Sequence, residues 1–127
     1  MQRLAIAILL GIALYTGLVV LQFSVEPSAG MRWHLWVSVF HNICKALEAV
    51  APGMLAGWVA GRSGFTVGLL VGVGAALVSP LAGYPFWGFM PGRIVLLSMV
   101  FGMVITPITQ IAGGIAGAAL RSRHVAL

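Results

Sequence analysis

The sequence predicts an all-α integral membrane protein whose four transmembrane helices form one antiparallel bundle spanning residues 1–127. Of the 127 residues, 61% are hydrophobic, only nine are charged (seven basic, two acidic), and the mean hydropathy is +1.08. The apolar residues also gather into four long runs, separated by segments rich in Gly, Pro, Arg and aromatic residues. Soluble chains are about a quarter charged. Nine charges cannot cover the surface of a 13.3 kDa soluble fold, so the apolar excess faces lipid.

The first run, about 4–23, is long enough to cross a hydrocarbon core of ~30 Å at ~1.5 Å per residue. A cleavable signal, with small residues at Ser28, Ala29 and Gly30, is the competing reading, but signal cores are shorter, about 7–15 residues. Glu26 and Pro27 open a polar connection, and Trp33 and Trp36 beside His34 read as an interfacial belt. The second span, about 35–61, is interrupted by His41, Asn42, Lys45 and Glu48 and contains Pro52. A helix from Trp33 to Gly61 would be ~43 Å long, so it overshoots the bilayer, tilts, or bends at the proline. Gly61-Arg62-Ser63-Gly64 reads as a turn into the third span, about 65–82. The breakers and aromatics of 83–92 predict an outer interfacial loop. The fourth span, about 94–120, carries Pro107, where a kink is expected.

The basic residues stand almost singly, which argues against nucleic acid as a partner and makes them topology markers. With the amino terminus inside, the inner side holds Arg3, Arg62, Arg121 and Arg123, against Arg32 and Arg93 outside. That bias predicts a multi-pass protein with both termini inside, as in a prokaryotic cytoplasmic membrane; insertion in both orientations is the alternative. Cys44 is alone, and His34, His41 and His124 lack companion ligands, so neither a disulfide nor a metal site is expected. No cofactor motif is present. The absence of a Gly-x-Ser-x-Gly, a His-Glu-x-x-His or paired aspartates argues against an enzyme.

Glycine spacing is informative. The second span carries Ala49, Gly53, Gly57 and Gly61, and the third carries Gly64, Gly68, Gly72 and Ala76, both at intervals of four. Small residues so spaced let helices touch closely in lipid. Folding at Arg62-Ser63 pairs 61 with 64, 57 with 68, 53 with 72 and 49 with 76, so a glycine-zipper hairpin is expected; a zipper between chains is the alternative.

Lys45 and Glu48 are the charges that topology does not explain, and ionisable residues inside a span are functional candidates. On a helical wheel His34, His41, Lys45, Glu48 and Pro52 fall within about 60° of one another. Counting from the inner boundary puts Glu48 at about 20 Å, Thr106 at about 22 Å, Gln110 at about 16 Å, Tyr15 at about 18 Å and Ser79 at about 22 Å. Each helix therefore gives a polar group to one layer, with His41, Lys45 and Gln22 above it. Pro107 frees a carbonyl near Met103, which Thr106, Thr109 or Gln110 could satisfy. Competing with a functional layer is a structural one, in which Lys45 snorkels and pairs with Glu48.

Two functions follow as expectations. The base rate for a chain without catalytic motifs favours a small structural or accessory subunit, a homo-oligomer or part of a larger membrane complex held by its glycine faces. The polar layer favours a minimal proton- or ion-coupled transporter or channel, also homo-oligomeric, with Glu48 and Lys45 in the pathway.

Overall fold

The structure, a computed structural model, describes residues 1–28, 35–83 and 92–126. It contains α1 (Gln2–Ser28), α2 (Leu35–Ala60), α3 (Gly64–Gly83) and α4 (Gly92–Val125). All four are long and apolar enough to cross a membrane, which fits a multi-pass membrane protein. The expected aromatic loop, apart from its terminal Gly83 and Gly92, and the Trp33–His34 segment lie outside the described residues.

Helix bounds fall close to the expected spans except where polar residues follow an apolar run. α1 continues to Ser28 and α4 to Val125, beyond the expected 23 and 120. Hydropathy marks the part of a helix that lipid surrounds. The backbone ladder itself persists further, because once a helix is nucleated each added residue gains one intrahelical bond. Arg123 and His124 in the last turn of α4 complement its helix dipole.

Each helix buries one narrow stripe. In α1 it is Ala7, Gly11, Tyr15, Val19 and Gln22, and in α4 it is Gln110, Gly113, Gly114 and Gly117. The residues of α4 from 92 to 109 include none that is buried, so this helix packs most closely through its C-terminal half, from Pro107 against Gly72 onward. Ala7, Ala56, Val67 and Val71 form one apolar cluster among α1, α2 and α3, and Tyr15, Val19 and Ala75 form a second.

The small residues of α2 and α3 are real contact points, but their neighbours differ from those the hairpin pattern predicts. The most extensive contacts in the bundle are α2 with α4 and α3 with α4, whereas α2 with α3 is the least extensive of the five main pairs. A Cβ on Gly57 would run into the backbone of Gly114, one on Gly53 or Gly68 into the backbone of Gln110, and one on Gly72 into Pro107. The nearest atoms to these glycines thus belong to α4 and not to the opposite arm of the hairpin. Gly113 and Gly117 answer from α4, against the backbone of Val50 and Met54. Sequence adjacency suggests that 57 meets 68, but an outside helix with small residues on two flanks can wedge against both arms. α4 is that helix.

The α2–α3 turn is tight. Gly61 ends α2 with φ 72°, the left-handed conformation that closes many helices, and its N–H donates to the Gly57 carbonyl at 2.9 Å. Ser63 follows at φ 55°, and its carbonyl accepts from Val67 at the start of α3.

Candidate functional site

The stripes that pack the helices also carry polar side chains, and these meet in a cavity of about 510 Å³. α1 supplies Tyr15, Val19 and Gln22; α2 supplies His41, Lys45, Glu48 and Ala49; α3 supplies Ala76, Ser79 and Pro80. The fourth wall is the loosely packed N-terminal half of α4, with Ser98 and Thr106 among apolar Val95, Met99, Phe101 and Met103. Of the seven residues that the sequence singles out, six line this one cavity: Tyr15, His41, Lys45, Glu48, Ser79 and Thr106. Gln110 does not.

Glu48 is 8% exposed. Lys45 Nζ lies 3.5 Å from Glu48 Oε2, a long contact, and the Lys45 side chain is 53% exposed while that of Glu48 is 10% exposed. The lysine therefore reaches out of the wall while the carboxylate stays in it, as expected for an amphipathic stem near a lipid boundary. The Tyr15 hydroxyl has Ser79, Thr106 and Glu48 as neighbours, so one polar group from each of the four helices stands beside the carboxylate.

Gln22 belongs to the cavity although its sequence position placed it only above the layer. It is 3% exposed, and its Nε2 donates to His41 Nδ1 at 3.3 Å. Its Oε1 is buried with no partner among the described residues. The missed signal is periodicity: continuing the α1 stripe of 7, 11, 15 and 19 by one more turn reaches 22.

Gln110 has a different task, directly behind Glu48. Pro52 has no N–H, so the Glu48 carbonyl loses its helical donor. The fully buried Gln110 side chain replaces it: Nε2 donates to the Glu48 carbonyl at 2.6 Å and to that of Ala49 at 3.1 Å. In return the Gly53 N–H donates to Gln110 Oε1 at 2.6 Å. One amide from α4 thus mends the proline gap in α2 and fixes the backbone on which Glu48 stands. The sequence offers Gln110 as one of three residues able to satisfy the carbonyl that Pro107 frees; its side chain is instead engaged across the interface, at Pro52. Thr109 Oγ1 donates to the Thr106 carbonyl at 3.0 Å.

At the far end of the same interface, Arg121 Nη1 donates to the carbonyls of Trp58 and Val59. These are orphan acceptors of the last turn of α2, where a cation also favours the helix dipole. Read from the sequence as a topology marker, Arg121 is in addition a cap.

The chemistry open to the cavity follows from its parts. It offers one buried carboxylate with Lys45 at 3.5 Å, His41, the hydroxyls of Tyr15, Ser79 and Thr106, and one amide oxygen without a partner among the described residues, beside an apolar wall, a set able to hold a proton or a cation at the carboxylate. Compared with known families, curated proteins and solved structures, the chain matches no family model, no curated protein and no solved structure.

Proposed function

We propose that the chain is a minimal proton- or ion-coupled membrane transport protein with Glu48 as its cation-binding group. The observation that carries this reading is the convergence of polar side chains from all four helices on one cavity around a buried carboxylate. A structural Lys–Glu pair alone would need neither the cavity nor the hydroxyls of α1, α3 and α4.

The bundle is up-down-up-down. In support, contacts between α2 and α4 advance together, 53 with 110 and 57 with 114, while those between α3 and α4 run oppositely, 64 with 114, 68 with 110 and 72 with 107. The glycine faces of α2 and α3 act as a zipper onto α4. Pro107 kinks α4, a reading supported by its place between the buried C-terminal stripe and the exposed residues before it. Both termini lie inside, with Arg3, Arg62, Arg121 and Arg123, so the cavity opens in the outer half of the membrane.

Reconstituted in liposomes with an imposed proton or cation gradient, the protein is expected to carry flux that Glu48→Gln reduces to the level of empty vesicles without loss of helix content. Absence of flux with any ion, or flux unchanged in Glu48→Gln, would overturn the transport reading and return the structural or accessory-subunit alternative. The exposed apolar side chains of α4 do not decide between the two, since such groups face lipid in any chain of this kind.

A further inference from the structure

We infer that the cavity takes an organic primary ammonium, whose N–H donors are shared between the Glu48 carboxylate and Gln22 Oε1. This rests on the reading of the cavity as a transport site, and names the class of cation.

Gln22 is 3% exposed, lines the cavity, and has its amide nitrogen engaged with His41 while Oε1 has no partner among the described residues. A buried acceptor without a donor is costly, so such an atom marks a place that a donor fills. A carboxylate offers about four lone-pair sites. The long Lys45 contact engages only Oε2 of Glu48. Lys45 is half-exposed and makes one long contact, so the carboxylate keeps lone pairs to spare, and Gln22 Oε1 is a second acceptor in the same cavity. An ammonium with several N–H groups can donate to both acceptors at once, whereas an anion has no donor to give and a quaternary ammonium brings charge without one.

Val19, Met99, Phe101 and Met103 give the cavity an apolar side, and its volume of about 510 Å³ lies within the range of small-molecule sites. A bare metal ion would leave that side unused and would want six or more oxygen ligands. An organic cation uses both sides, its head at Glu48 and Gln22 and its body against α4.

The test is calorimetric titration of the full chain in detergent with phenethylammonium, its N,N,N-trimethyl analogue and phenethyl alcohol. The primary ammonium is expected to bind about tenfold or more tightly than the trimethyl analogue, as loss of a hydrogen bond to a charged group implies, and the alcohol more weakly still. Gln22→Leu is expected to bring the two cations within about threefold of each other, and Glu48→Gln to weaken both. Equal binding of the two cations to the wild type would overturn the inference, as would a preference that survives Gln22→Leu. The wild-type comparison needs no variant, so it decides the matter even where Gln22→Leu does not fold. Glu48-dependent flux without ammonium binding would overturn this inference and leave the transport reading standing. Ammonium selectivity without flux would support this inference and overturn transport.

Discussion

Gln110→Leu is expected to destabilise the protein by about 2–6 kcal/mol, because it strands two buried backbone groups at about 1–3 kcal/mol each. Those groups are the Glu48 carbonyl, which Pro52 cannot serve, and the Gly53 N–H, which now donates to Gln110 Oε1. Leucine fills similar volume, so the loss reports hydrogen bonding more than packing. Adding Pro52→Ala restores an N–H four residues after Glu48, and the double variant is expected to recover about 1–2 kcal/mol relative to Gln110→Leu. Reversible unfolding in detergent measures both changes. A cost under about 0.5 kcal/mol, or no recovery in the double variant, would contradict the placement of Gln110 in the proline gap.

A comparably large effect is expected at the contact between α2 and α4. Gly57→Ala puts a methyl group where the Gly114 backbone already lies, and backbone cannot turn aside as a flexible side chain can. Separating the two helices also loosens Gly53 from Gln110 and Arg121 from the end of α2. The expected cost is about 3 kcal/mol, the upper range for overpacking. Gly17→Ala is the control. Nothing lies within 4 Å of a Cβ at Gly17, so that change is expected to be neutral or to stabilise by about 0.5–1 kcal/mol through helix propensity. Similar stabilities for the two alanine variants, measured in the same detergent, would contradict the close approach of α2 to α4.

The contrast between these residues shows what the sequence makes legible. The four spans follow from hydropathy, because lipid imposes its thickness on every helix. The shared depth of Tyr15, Glu48, Ser79 and Thr106 follows from counting residues along straight helices, and the structure gathers these four around one cavity. What the sequence withholds is which helix answers a given face. The glycines of the second and third spans declare a small-residue side, but not that α4 occupies it; that depends on the order of four helices around an axis, which periodicity within each helix does not encode. Gln110 shows the same limit. A proline that frees a carbonyl and an amide able to satisfy it are both visible in the text, yet two prolines compete for that amide. Only the register between α2 and α4 assigns it to Pro52.

Thiol accessibility at Thr106 decides whether polar residues from four helices share one outward-opening cavity around Glu48. In a Cys44→Ala background, Thr106→Cys is expected to react with a membrane-impermeant thiol reagent added from outside, while Ile108→Cys, 58% exposed on the apolar surface of α4, stays unlabelled in lipid. Reaction of Thr106→Cys from the inner side alone would reverse the orientation. Failure to react from either side would contradict the cavity itself.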